Sequence, residues 1–208
     1  DKINKIRNNL FALILSIIVF LIFLEIIFRV FFPVTDALYI GDQNLGSKFI
    51  PNKSGINVIP GKKTDVKFNS EGFRDLNHEV NNPLNKYRIA FIGDSYVASL
   101  QVDFEETFTQ LLAKKLDKDY SRKFEIFNFG IPSYSTAQEY FAYKYYAEKY
   151  KPDLVYLFVF TNDPYDNCLP DGTKPTYYIK NNSVMLREFH PKYPNKFLIF
   201  IADNFKTS

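Results

Sequence analysis

The sequence predicts an α/β domain built around a parallel sheet, with one apolar helix in front of it. A long apolar segment opens the chain, short apolar runs recur after residue 86, and stretches of helical period separate those runs. The expected parts are a cytoplasmic tail (1–9), a transmembrane anchor (10–32), a connector (33–86) and the α/β domain (87–208).

Composition limits the classes of protein to which the chain can belong. A length of 208 residues allows one membrane element and one globular domain, and 46% apolar residues allow a sizeable core. The net charge is only +3, with no basic stripe that would suggest a nucleic acid partner. The single cysteine, Cys168, excludes an internal disulfide framework and a Cys-based zinc site, and only His78 and His190 add imidazoles. We therefore expect neither a metal nor another cofactor.

Residues 10–32 read LFALILSIIVFLIFLEIIFRVFF, which is long enough to cross a bilayer, because roughly 20 apolar helical residues suffice. A cleaved signal peptide is the alternative, but no small-x-small cleavage site follows the run. Lys2, Lys5 and Arg7 precede it. The positive-inside rule then places the amino terminus in the cytoplasm and the domain outside the membrane, with the lipid bilayer as the partner of the anchor.

The connector, residues 33–86, is rich in proline and glycine. We expect it to be irregular and to pack on the edge of the domain, with a short strand over residues 65–70 and a turn around Gly72.

The elements of the α/β domain follow in alternation. Three apolar runs are typical of buried parallel strands: YRIAFIGD (87–94), KFEIFNFG (123–130) and DLVYLFVF (153–160). Two helices separate them, one over 104–116 with a single apolar face and one over 135–150 with Ser135 as N-cap. A hairpin turning at Asn181–Asn182 comes next, and residues 196–205 fit either a strand or the start of a helix.

Each strand is followed by a residue with possible chemistry. In open parallel α/β sheets, ligands bind beyond the carboxyl ends of the strands. Ser95 offers a hydroxyl nucleophile, Gly130 a backbone N–H without an obstructing Cβ, and Asn162 an amide donor. Together they could form an oxyanion hole for acyl transfer. Taken singly, each also fits an ordinary cap, turn or loop initiator.

The chain resembles the SGNH/GDSL hydrolase family in three ordered blocks. RIAFIGDSYVASLQVDFEETFTQLLAKKL is similar to the first block, FEIFNFGIPSYSTAQEY to the second, and PDLVYLFVFTNDPYDN to the third. The segment NSEGFRD and the apolar anchor are similar to a membrane-attached branch, related in pattern to the alginate O-acetyltransferase group.

The resemblance implies a flavodoxin-like three-layer α/β/α sandwich. It also implies that Ser95 is the nucleophile, and that the Ser95 N–H, the Gly130 N–H and the Asn162 side chain stabilise the oxyanion. The implied reaction is attack on a carboxylic ester, an acyl-serine intermediate, and transfer to water or to a sugar hydroxyl.

The general base departs from the family pattern. The family carries an Asp-x-x-His block late in the domain, whereas Arg187 stands three residues before His190. His78 precedes the first strand, where a solvated loop histidine is expected. No base is assigned, and we expect the carboxyl-terminal part of the domain to lie beyond Ser208. A piece without its base should have almost no esterase activity, because an unassisted serine hydroxyl is a weak nucleophile.

Two readings of the whole protein compete. The first is an extracytoplasmic ester hydrolase or O-acyltransferase acting on cell-envelope glycans or lipids. The second is a non-catalytic envelope binding or assembly module on the same fold. A nucleotide-binding protein is disfavoured because no glycine-rich phosphate motif is present. Asp163 and Asp166 are expected to lie in a solvated loop and not in a Mg²⁺ site.

Overall fold

The computed structural model describes residues 2–31, 37–168 and 172–191 of the chain. The chain divides into two units, with the first helix in one and the other described elements in the second. The predicted element at residues 196–205 lies outside the described residues.

Helix α1 (Lys2–Phe31) forms the first unit. Its most apolar window of 18 residues, within Lys2–Ile27, has a mean hydropathy of 3.1, and the side chains of residues 2–27 are almost all exposed. By length and composition, α1 can cross a membrane, as the sequence predicted.

A parallel three-stranded sheet forms the centre of the second unit. Its strands are β5 (Tyr87–Gly93), β6 (Phe124–Gly130) and β7 (Leu154–Leu157), in the order β6-β5-β7. The α/β fold class with a parallel sheet is therefore confirmed. Strand β7 is shorter than the predicted 153–160, although the Phe158 N–H still donates to Ile92 O at 2.9 Å.

Helices cover both faces of the sheet at β5 and β6. Strand β7 is mostly exposed, so the prediction of a buried strand was wrong for this edge of the sheet. Alternate residues of a strand point to opposite faces, so Ile89 and Phe91 pack with helix α3 (Phe108–Asp119) on one side. Ala90 and Ile92 lie in the larger core on the other side, with helix α4 (Thr136–Ala142). Helix, sheet and helix thus form the expected three layers.

The two predicted helices differ in detail from the observed ones. A 3₁₀ turn (Phe104–Glu106) precedes α3, and Thr107 caps α3 by accepting a hydrogen bond from the Gln110 N–H. The predicted helix 135–150 is α4 followed by a π-helical turn (Tyr143–Ala147) and a 3₁₀ turn (Glu148–Tyr150).

The connector contains regular structure that the sequence pattern did not reveal. It forms two antiparallel hairpins from β1 (Tyr39–Asp42), β2 (Gly46–Phe49), β3 (Ser54–Ile59) and β4 (Lys62–Lys67). The expectation of an irregular segment was wrong over β1, β2 and β3, whose short strands mix polar and apolar residues. The strand predicted over residues 65–70 overlaps β4, in which buried and exposed side chains alternate. Apolar connector side chains join the core under α4: Leu38, Leu45, Phe49, Val66, Phe68 and Phe73.

The last described elements follow β7. Helix α5 (Asp163–Cys168) comes first, and strands β8 (Tyr177–Lys180) and β9 (Ser183–Leu186) form the predicted hairpin. Asn181 and Asn182 have φ values of 50° and 60°, as a tight two-residue turn requires, so this prediction is confirmed.

Candidate active site

The parallel sheet places the predicted site residues at one end. Gly93 of β5 is in register with Gly130 of β6, and the Ile131 N–H donates to Gly93 O at 3.2 Å. Ser95 follows β5 directly, and Asn162 lies between β7 and α5. All three predicted positions are therefore associated with the carboxyl ends of the strands, where open α/β sheets bind ligands.

Ser95 begins helix α2 (Ser95–Ala98). Asp94 caps this short helix, since its carboxylate accepts a hydrogen bond from the Tyr96 N–H at 3.0 Å. Ser95 is partly exposed and lines a cavity of about 190 Å³. Within the described part of the chain, neither the hydroxyl nor the N–H of Ser95 has a hydrogen-bond partner. Ser95 can therefore meet a ligand with both groups.

The two glycines at the strand ends allow α2 to pack closely on the sheet. A Cβ on Gly130 would lie 2.4 Å from Ala98 N and 2.6 Å from Val97 C, and one on Gly93 would lie 2.5 Å from Val97 Cγ2. Backbone atoms of α2 occupy the space that the sequence argument had left for a substrate. The glycine therefore has a packing function that sequence reasoning missed.

The N–H of Gly130 is engaged in this structure. It donates to Asn128 Oδ1 at 2.9 Å, while Asn128 Nδ2 donates to Val97 O at 2.8 Å. Asn128 thus ties the end of β6 to α2. To stabilise an oxyanion, the Gly130 N–H would have to break its hydrogen bond to Asn128 Oδ1 and donate to the ligand. The role of Gly130 in an oxyanion hole stays a prediction.

Asn162 retains a donor for a ligand. Its Nδ2 donates to Asp166 Oδ2 at 2.8 Å, and Asp166 also accepts from Lys174 Nζ at 3.4 Å. An amide nitrogen carries two hydrogens, so one remains after the bond to Asp166. The role of Asn162 in an oxyanion hole also stays a prediction.

Three buried carboxylates lie behind the site, and we call them the buried carboxylate cluster: Asp94, Glu139 and Asp163. The three interact electrostatically. Burial, followed by the charges of Asp163 and Asp94, raises the pKa of Glu139 to about 8. Burial also raises the pKa of Asp163, although the Phe160 N–H that it accepts opposes this. Asp163 is fully buried, so the expectation of a solvated loop was wrong for this residue.

Some oxygens of this cluster have no hydrogen-bond partner within the part of the chain that the structure describes. They are both carboxylate oxygens of Glu139 and Oδ1 of Asp163. Sequence reasoning missed Glu139, although an acidic residue one helical turn after the predicted N-cap Ser135 was visible. Nothing in the local pattern showed that this side of α4 faces the strand ends. Among the described residues, no cluster has the arrangement of a metal site.

The comparisons with known proteins bear on this geometry. The model of the family described as GDSL-like Lipase/Acylhydrolase matches residues 89–206, more than half of the 208-residue chain. The chain belongs to this family. A comparison with curated proteins found no match. The matched segment contains all three predicted site residues, and membership makes this chain a hydrolase domain of the esterase and acyltransferase type.

Neither histidine of this GDSL-like hydrolase contacts Ser95 in the described structure. The His190 N–H donates to Gly172 O at 2.7 Å, beside the β8–β9 hairpin. His78 Nε2 lies 3.0 Å from Asp75 Oδ2, and its Nδ1 lies 3.2 Å from Glu125 Oε1, near the start of β6. The prediction of a solvated loop for His78 was wrong, because its side chain is only 10% exposed.

Proposed function

We propose that this protein is a serine-dependent carboxylic ester hydrolase or O-acyltransferase that acts through an acyl-serine intermediate. The supporting observation is Ser95 itself. It lies at the first residue of α2 and is partly exposed, and its hydroxyl and its N–H have no hydrogen-bond partner among residues 2–31, 37–168 and 172–191. A nucleophile of this kind needs an open approach for the acyl group and nearby donors for the developing oxyanion.

The proposed reaction has two steps. Ser95 Oγ attacks the carbonyl carbon of the ester and loses its proton to a base, the bond to the leaving oxygen breaks, and that oxygen takes up a proton. Water or a sugar hydroxyl then attacks the acyl-serine carbonyl carbon and loses a proton to the base, the bond between that carbon and Ser95 Oγ breaks, and Oγ takes up a proton. The Ser95 N–H, the Gly130 N–H and the free Asn162 hydrogen are the proposed donors to the oxyanion. Since neither histidine contacts Ser95, we expect the 208-residue chain alone to turn over esters very slowly.

Labelling by a fluorophosphonate tests the nucleophile in the full-length protein. The expected result is one phosphonyl group on the peptide that contains Ser95, and no labelling of Ser95→Ala. Ser121→Ala is the matched control, because Ser121 is exposed and precedes β6 at the other end of the sheet. Labelling that persists in Ser95→Ala would contradict the proposal.

A non-catalytic envelope binding or assembly module on the same fold is the second candidate. It is favoured by the bond from the Gly130 N–H to Asn128, which occupies one proposed oxyanion donor. A folded full-length protein that is never labelled at Ser95, and that releases no product from a panel of acyl esters, would favour the module.

We further propose that α1 is a retained anchor, that the domain lies outside the cytoplasm, and that its substrates are cell-envelope glycans or lipids. The support is the apolar length of α1 and the position of Lys2, Lys5 and Arg7 before its apolar part. An exposed residue, Cys168, is the only cysteine of the sequence and can report the location of the domain.

A membrane-impermeant maleimide should label Cys168 in cells whose cytoplasmic membrane is intact. As a control, Asn8→Cys in a Cys168→Ser background should react only after permeabilisation. The reverse pattern would contradict the proposed orientation. Release of the labelled domain from the membrane fraction without α1 would contradict a retained anchor.

A further inference from the structure

The nucleophile helix α2 depends on other elements for its stability. It has only four residues, and a helix end leaves its last carbonyls without intrahelical partners. The turn that follows, residues 99–102, begins at Ser99 with φ 51°, a left-handed conformation that non-glycine residues rarely adopt. Without external contacts, neither the helix nor this turn would keep one conformation.

Side chains from three segments that are distant in sequence donate hydrogen bonds to carbonyls of α2 and of the turn that follows it. Asn128 Nδ2 donates to Val97 O at 2.8 Å, and Asn57 Nδ2 donates to Leu100 O at 3.1 Å. The remaining contacts come from Arg74 in the segment NSEGFRD.

Arg74 binds two carbonyls of the turn at once. It is fully buried, and its two terminal nitrogens donate to Ser99 O and to Val102 O, the latter at 2.6 Å. The planar fork of a guanidinium suits such a two-point contact, which a lysine cannot reproduce. Ser99 and Val102 also line the cavity beside Ser95. Arg74 therefore binds residues that line the cavity, although it does not line the cavity itself.

We propose that Arg74 is a positioning residue: it holds the turn after α2 so that Ser95 and its N–H face the acyl group. This inference rests on the proposed function. The charges that act on the guanidinium are those of Asp103 and Glu105, and burial opposes its charged form.

Arg88 provides a matched control for a merely structural role. It is also buried, and it donates to the backbone carbonyls of Val80 and Tyr150 at 2.8 and 2.7 Å and to Glu125 Oε2 at 2.8 Å. It lies at the start of β5, at the end of the sheet opposite Ser95. Substitution of either arginine removes hydrogen bonds to buried backbone carbonyls. Of the two, only Arg74 contacts the turn after α2, residues 99–102.

The test compares Arg74→Lys with Arg88→Lys, and Arg74→Met with Arg88→Met, in the full-length protein. The measurements are the rate constant for fluorophosphonate labelling of Ser95, kcat and KM for a short-chain p-nitrophenyl ester, and Tm. All kinetics are run well below the lowest Tm. Should the Met variants fail to fold, the Lys pair decides the question.

In Arg74→Lys, we expect the labelling rate constant and kcat to fall about 100-fold, because a displacement of about 1 Å at a reacting group costs that much. KM should change less than about threefold, since a small ester makes few other contacts. Arg88→Lys should keep both rate constants within about threefold at a comparable loss of Tm.

Equal rate constants in the two Lys variants would overturn the positioning role while leaving the proposed function intact. Wild-type protein that is not labelled at Ser95 would remove the proposed function and this inference together. The two failures are therefore distinguishable.

Discussion

The two ends of the parallel sheet differ in whether their buried charged side chains have hydrogen-bond partners. At the amino end, Arg88 donates to four backbone carbonyls and to Glu125, so each of its N–H groups has an acceptor. His78 lies between Asp75 and Glu125. We call Arg88, Glu125, His78 and Asp75 the amino-end cluster. At the carboxyl end, the buried carboxylate cluster has three oxygens that find no hydrogen-bond partner among the described residues, and Ser95 beside it is partly exposed.

This difference indicates that the amino end of the sheet stabilises the fold, whereas the carboxyl end can act on a ligand. Buried polar groups normally find partners, because an unpaired one costs about 1–3 kcal/mol. The amino end follows this rule. The carboxyl end violates it next to the candidate nucleophile, where perturbed and unsatisfied groups are typical of functional sites.

The largest effect on stability should come from breaking the amino-end cluster. In Glu125→Met, the Arg88 Nε–H and the His78 Nδ1 lose their carboxylate in a buried setting. Removing one partner of a buried ion pair lowers the free energy of unfolding by about 3–5 kcal/mol. Tyrosine near-UV circular dichroism during urea unfolding measures it, because the sequence has no tryptophan and α1 has no tyrosine.

Glu148→Met is the control for that experiment, since Glu148 is exposed on the 3₁₀ turn after α4. It should change the free energy of unfolding by less than about 0.5 kcal/mol. A similar effect of the two substitutions would mean that the amino-end cluster is not the stabilising part of the fold.

The next effect comes from Glu139 at the carboxyl end and depends on pH. Because the pKa of Glu139 is raised from 4.5 to about 8, the folded protein keeps a proton that the unfolded chain releases. This contribution to stability is fully present below pH 4.5 and is lost as the pH rises to about 8, at no more than about 1.4 kcal/mol per pH unit.

Glu139→Gln removes this titration, so its stability relative to wild type should rise by on the order of 3 kcal/mol between pH 5 and pH 8. Urea unfolding at a series of pH values measures the difference, with Glu148→Gln as the control for an exposed carboxylate. A difference that is constant with pH would show that Glu139 titrates normally.

Gly130→Ala sharpens the comparison at the strand end. If the glycine served only the approach of a substrate, the substitution would leave stability unchanged. Since the new Cβ would collide with α2, we expect a loss of about 2 kcal/mol and a fall in Ser95 labelling. Gly61→Ala is the control: its Cβ would meet no atom within 4 Å, so the positive φ of 80° at Gly61 is the cost of that alanine, whereas Gly130 has no positive φ. Equal labelling in the two variants would contradict the packing function.

Much of this fold could be predicted from the sequence because apolar strands and turn residues carry local signals. The run at 87–94 and the turn at Asn181–Asn182 are of this kind. Of the hairpins before residue 68, only the part of β4 within residues 65–70 was predicted, since cross-strand partners and not a local pattern make β1, β2 and β3 regular. The candidate site divides in the same way: Ser95 is marked by its motif, whereas Glu139 and Arg74 are significant only through contacts distant in sequence.

The smallest effect should come from His78, which tests whether the amino end is as fully paired as its geometry indicates. Burial lowers the pKa of His78, but hydrogen bonds and charges from Asp75 and Glu125 outweigh it and raise the pKa above 6.5. The ion pairs therefore stabilise the fold fully below pH 6.5, and their contribution is lost as the pH rises through the folded pKa. In His78→Gln, the deficit in unfolding free energy should be larger at pH 5.5 than at pH 9. His190→Gln, on an exposed histidine, should show no such change. A deficit that grew with pH would mean that His78 is neutral in the fold, and the amino end would then share the unpaired character of the carboxyl end.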